Sequence, residues 1–141
     1  MRPDRFRQLQ ILCGTFLAGV VLLNGVLTVL LVTGALRPVP LPRPALLVLF
    51  AVGLVLLVAS PAVKGAVFKR IGAEGFGADT DRIFAAYRTS NLIAFAMREA
   101  GGWLGFLLSM LTADPWWSWS LGAAAVIAMI FEWPKREHLG L

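Results

Sequence analysis

The sequence predicts an all-α protein, an integral membrane four-helix bundle with both termini on the cytoplasmic side. The first observation is composition. Of 141 residues, 58% are hydrophobic and 15% are charged, where a soluble domain carries about a quarter charged residues. The second is distribution. Residues 11–36, 44–63 and 115–131 carry no charge, and between residues 89 and 113 only Arg98 and Glu99 do. Apolar runs of this length read as membrane spans. The third is the placement of Lys and Arg, which cluster in the segments flanking those runs. A soluble domain, a disordered chain and a disulfide scaffold are excluded by this composition, and Cys13 is the single cysteine.

One transmembrane domain, residues 1–141, holds the four spans. The first covers about residues 9–36. It follows a basic start with Arg2, Arg5 and Arg7, and it is too long for a signal-peptide core of roughly 7–15 residues, so it reads as a retained helix. Cys13 reads as a small apolar helix residue. Pro38, Pro40, Pro42 and Pro44 then enforce a short, stiff linker, since alternating prolines cannot continue a helix. The second span covers about residues 45–63, with a kink or early end expected at Ser60-Pro61. Lys64, Lys69, Arg70 and the glycines between residues 72 and 77 are expected in a loop. Asp79-Thr80-Asp81 offers an N-cap. Residues 81–90 read as an amphipathic lead-in with Ile83, Phe84 and Tyr87 on one face. It runs into a third span at about 91–111. Asp114-Pro115 breaks the helix, and a fourth span covers about 116–131. Trp116, Trp117 and Trp119 at its start and Trp133 at its end are interface anchors.

The formal net charge is +5 and the sequence pI is about 10.4. The basic residues are topogenic rather than a nucleic-acid footprint. The N-terminus, the central segment (Lys64, Lys69, Arg70, Arg82, Arg88) and the C-terminus (Lys135, Arg136) carry most of them. The positive-inside rule puts those segments in the cytoplasm and the protein in the cytoplasmic (inner) membrane.

Glu99 is the sharpest chemical feature. It lies roughly 20 Å from the outer end of the third span at ~1.5 Å per residue, inside the hydrocarbon. An ionisable group there is a candidate for ion or proton coupling. Arg98 is its neighbour. Glu132, at the inner end of the antiparallel fourth span, falls at a similar depth, so the two carboxylates and Arg98 form an expected inner cluster with Lys135 or Arg136 nearby. Asn24, in the middle of the first span, either bonds across helices or lines a polar path. Gly101, Gly102 and Gly105 are expected to pack the third span tightly on the fourth. One histidine, His138, no cysteine pair and no phosphate-binding loop argue for a chain that is no enzyme and holds no cofactor or metal.

The pattern Ala96-Met-Arg98-Glu99-Ala100, followed by glycines and a Leu-rich end within residues 91–111, resembles the carboxylate-bearing helix of the ATP synthase rotor-ring c subunit. The resemblance implies Glu99 as an ion-binding carboxylate. It covers about 20 residues, and Glu99 stands here in a third span where the rotor family uses an even-numbered one. Two functions are therefore expected. One is a proton- or cation-coupled transporter or channel subunit working as a homo-oligomer in the lipid bilayer. The other is a non-catalytic structural or assembly subunit beside other membrane subunits.

Overall fold

Runs of Leu, Val and Ala with few breakers favour helices, and a helix is the one single-segment form that satisfies its own backbone away from water. The computed structural model describes residues 3–73 and 80–135 and is all-helical over its regular elements. The helices are α1 (Pro3–Val32), α2 (Arg43–Ala73), α3 (Thr80–Thr112) and α4 (Trp116–Phe131). The first three are long and apolar enough to cross a membrane. α4 has 16 residues against 33 for α3, so its C-terminus falls beside the middle of α3.

α1 begins six residues before the expected Leu9 and stops at Val32 rather than residue 36. Gly34 ends it with φ +67°. The Gly34 N–H donates to Leu31 and the Ala35 N–H to Leu30, both at 3.1 Å. This is a Schellman closure, which needs the left-handed residue that glycine supplies without strain. The proline linker then lies against α3, with the Val39 N–H donating to Leu111 O at 2.8 Å.

α2 corrects two expectations. It runs through Pro61 and continues ten residues past Val63, so Lys64, Lys69 and Arg70 are helical and not in a loop. Pro61 has no N–H to give the Leu57 carbonyl. The Ser60 hydroxyl donates to that carbonyl instead, at 2.9 Å. The helix therefore survives the proline. Basic residues then favour its C-terminal end through the helix dipole, with Arg70 in the last turn. Residues 74–79, which include most of the glycine stretch and Asp79, lie outside the described residues, as do Arg2, Arg136 and His138.

α3 is one continuous helix in which lead-in and span are joined. Its buried residues recur at intervals of three and four from Phe84 through Tyr87, Asn91, Phe95 and Arg98 to Gly105 and Ser109. Ile83 is not on that face. It is 37% exposed while Phe84 and Tyr87 are buried, because the buried stripe is centred on residues 84 and 87 and leaves residue 83 on its flank.

α3 is the axis of the fold. It packs against each of the other three helices, while α1 and α2 take different sides of it and share no extended contact. The glycines show how. A Cβ on Gly101 would meet Gly53 O and Leu57 of α2 at 3.0–3.1 Å, whereas one on Gly105 would meet Trp117 O and Leu121 Cβ of α4 at 2.8 and 2.9 Å. Gly102 faces Val20 of α1 and Ala125 of α4. The three glycines thus admit three neighbours, and only Gly102 and Gly105 serve the expected packing on α4. A central helix has neighbours on several sides and at several heights, so glycines within four residues of one another can each admit a different neighbour.

The outward faces of α1 and α2 are as apolar as the inward ones, with Leu22, Val29 and Val32 or Leu47, Val55 and Val58 exposed. Helices apolar all round are characteristic of membrane spans. One end of the bundle carries the proline linker and the α3–α4 turn, with Arg37, Arg43 and Asp114. The other, basic end carries Arg5, Arg7, Lys69, Arg70, Arg82 and Arg88, and there Arg5 Nη1 meets Asp81 Oδ1 at 2.9 Å.

Candidate functional site

The shortness of α4 creates the main polar site. A helix end leaves carbonyls without N–H partners. At the end of α4 the Glu132 N–H donates to Ala128 O at 3.1 Å. Arg98, projecting from α3, reaches the same carbonyl with Nη1 at 3.3 Å. Its Nε–H donates to Ser60 Oγ at 2.9 Å, the hydroxyl that also repairs the break at Pro61. Its Nη2 lies 2.8 Å from Glu132 Oε2. Lys64 Nζ donates to the same carboxylate oxygen at 3.2 Å. The guanidinium carbon stands 5.7 Å from the Phe95 ring centroid. Arg98 is fully buried, so one planar cation ties α2, α3 and α4 together and faces the negative end of the α4 dipole. Among the described residues the cluster holds two cations and one carboxylate.

Glu99 is elsewhere. Successive helical residues are 100° apart, so it points to α1 when Arg98 points to α2 and α4. The side chain is half-buried. A Cβ on Gly19 would lie 2.9 Å from Glu99 Oε1, so the carboxyl group occupies the notch that this glycine leaves open. No hydrogen bond or ion pair joins Glu99 to any of the described residues. The expected cluster of both carboxylates with Arg98 is therefore split. Glu132 joins Arg98, and Glu99 does not. Lys64 takes the place given to Lys135, whose backbone instead meets Tyr87. The Lys135 N–H donates to the Tyr87 oxygen at 3.2 Å, and the Tyr87 O–H donates to Lys135 O at 3.3 Å.

No family model matches this chain. Neither a curated protein nor a solved structure matches it either. What it does must be read from its own geometry.

A second polar cluster lies toward the linker end. Asn24 of α1 donates through Nδ2 to Val20 O at 2.9 Å and accepts from Ser118 Oγ at 2.7 Å. The Ser118 N–H, one of the orphan donors in the first turn of α4, donates to Ser109 Oγ of α3 at 2.8 Å. Asn24 thus bonds across helices, and it lies directly over Gly122, where a Cβ would be 2.5 Å from Nδ2. Trp116 and Trp119 are largely exposed at this end, and Trp117 packs edge-on against Phe50. Trp133 packs edge-on against Phe95 just beyond α4, on the level of the ionic cluster.

Sequence reasoning missed Ser60, Lys64, Ser109 and Ser118 as site members. A signal exists for the first two. Ser60 precedes the one proline inside a span, and Lys64 follows Ser60 by four residues, on the same helix face. Ser109 and Ser118 carry no such mark.

Proposed function

We propose that the chain is a multi-pass protein of the cytoplasmic membrane, with four spans and both termini in the cytoplasm, and that it works as an oligomeric subunit coupling proton or cation movement to Glu99. The basic end of the bundle supplies the orientation through the positive-inside rule. The observation that carries the function is the Glu99 carboxyl group on the Gly19 notch, without a partner among the described residues. Thirteen residues separate it from the α3 C-terminus at Thr112, or about 20 Å of a hydrocarbon layer roughly 30 Å thick. A carboxyl group at that depth without a counter-ion among the described residues is a candidate site for a coupling ion. Arg98 does not quench it, because its guanidinium is engaged by Glu132, Ser60 and Ala128. The resemblance of residues 96–100 to the rotor helix supports the same assignment. A single chain of this size has little interior for a pathway, so the working unit is an oligomer.

The test is proton and cation flux in proteoliposomes. Glu99→Gln is expected to abolish flux while leaving insertion and extraction unchanged. Wild-type flux in that variant overturns the reading.

One observation favours a structural or assembly subunit instead. Arg98 has a complete packing role, closing both the α4 C-terminus and the α2 proline site. In that reading Glu99→Gln is silent, whereas a bulky residue at Gly101 or Gly105 releases the chain from a larger complex, as co-purification would show.

A further inference from the structure

At the basic end, a groove of about 370 Å³ opens on the bundle surface, lined by Pro61, Gly65 and Phe68 of α2, Tyr87 of α3, and Lys64 and Glu132. Its walls are mainly apolar, and Lys64 and Glu132 of the ionic cluster form part of its lining. Arg98 and Lys64 bring two positive charges and Glu132 one negative charge, and Glu99 faces away toward α1. Among the described residues one positive charge is left over. Arg98 is fully buried, so Lys64 is the cation within reach of the groove.

The position of Lys64 narrows the counter-ion. It lies 21 residues along α2 from Arg43, or about 32 Å, so on the membrane reading above it stands at the boundary of a hydrocarbon layer roughly 30 Å thick. Lipid phosphates lie at that level. From Pro61 the same face of α2 continues toward the linker end through Val58, 72% exposed, and Leu54, 46% exposed. An apolar track leads away from Lys64, in the direction an acyl chain takes from its headgroup. Charge and shape match an anionic amphiphile.

We infer that this groove seats one anionic glycerophospholipid, its phosphodiester on Lys64 and an acyl chain along Pro61, Val58 and Leu54. The lipid neutralises the cluster and fixes α2 against the end of α4. This site shares no side chain with the Glu99 notch, so the two readings fail separately.

Native mass spectrometry of the full chain in mild detergent tests it, with phosphatidylglycerol or phosphatidylcholine titrated in. One phosphatidylglycerol per chain is expected, retained about tenfold better than phosphatidylcholine, the size of effect one charge-assisted contact gives. Lys64→Ala should remove that preference. Gly65→Leu provides a second variant that keeps both cations. A Cβ there has nothing within 4 Å, so the larger side chain can fill the groove. It should cut retention similarly, and Glu99→Gln should leave retention unchanged. Equal retention of the two lipids, or undiminished retention in both variants, overturns the proposal. Deacylated glycerophosphoglycerol binding as well as the lipid overturns the lipid assignment in favour of a soluble phosphodiester.

Discussion

The two polar clusters both join α3 and α4, one to α1 and the other to α2, by different chemistry. Near the linker end, Asn24, Ser118 and Ser109 are neutral and pair donor with acceptor across α1, α4 and α3. Near the basic end, Arg98, Glu132, Lys64 and Ser60 join α2, α3 and α4 through charges that do not balance. Neutral pairs inside apolar protein are individually modest and nearly self-contained. A buried ion pair has a large desolvation cost, and removing one partner strands the other. The first cluster can therefore lose a member and leave a local gap. The second holds a helix end and a proline break together, and loses both at once.

The largest expected effect comes from Arg98→Met. It leaves Glu132 with Lys64 as its one remaining cation among the described residues, takes one of two donors from the Ala128 carbonyl and removes the donor to the Ser60 hydroxyl. A loss of about 3–5 kcal/mol is expected in reversible unfolding in detergent micelles. The double variant Arg98→Met with Glu132→Met should recover part of that loss, since the one charge then left in the cluster, Lys64, is partly exposed. If the double variant is as unstable as the single one, the ionic account of this cluster is wrong and α4 closure alone explains it.

Gly122→Ala is the intermediate case. The added methyl enters the space of the Asn24 amide, and about 1–3 kcal/mol is expected from the forced shift. Pairing it with Asn24→Ala, which empties that space, should bring back most of the stability. Additive losses would mean that Asn24 does not press on Gly122.

Ser118→Ala should have the smallest effect, about 0.6 kcal/mol and at most ~2 kcal/mol, read in the same assay. It removes one hydroxyl donor to Asn24 and leaves the backbone bond from Ser118 to Ser109 intact. A loss equal to that of Arg98→Met would erase the contrast between the clusters.

Much of the fold is legible in the charge-free runs, because a helix apolar all round needs no pattern beyond length and the absence of charge. Helix ends are less legible. Lys64, Lys69 and Arg70 look like a loop when charge is taken as the end of an apolar helix, yet a helix can leave an apolar layer and continue. Pro61 looks like a break because its missing N–H is visible in the sequence and the hydroxyl that replaces it is not. In the site, the depth argument brings Glu132 to Arg98, since antiparallel helices joined by a tight turn share a ruler. It cannot say which way neighbours on one helix point. Arg98 and Glu99 are adjacent in sequence and face different helices, and only the arrangement of α1, α2 and α4 around α3 decides between them.

The C-terminus of α4 depends on groups from earlier helices, and this has a consequence for biogenesis. Synthesis runs from α1 to α4, so Ser60 and Arg98 already exist when α4 leaves the ribosome. In a bilayer, α4 alone would present open carbonyls to lipid at its C-terminal end. Joined after α3, it arrives as the second half of a hairpin whose first half holds the donor ready. On the membrane reading proposed above, the order of the chain is also an order of insertion, and a circular permutant that began with α4 would have to hold that helix in the translocon until α3 followed.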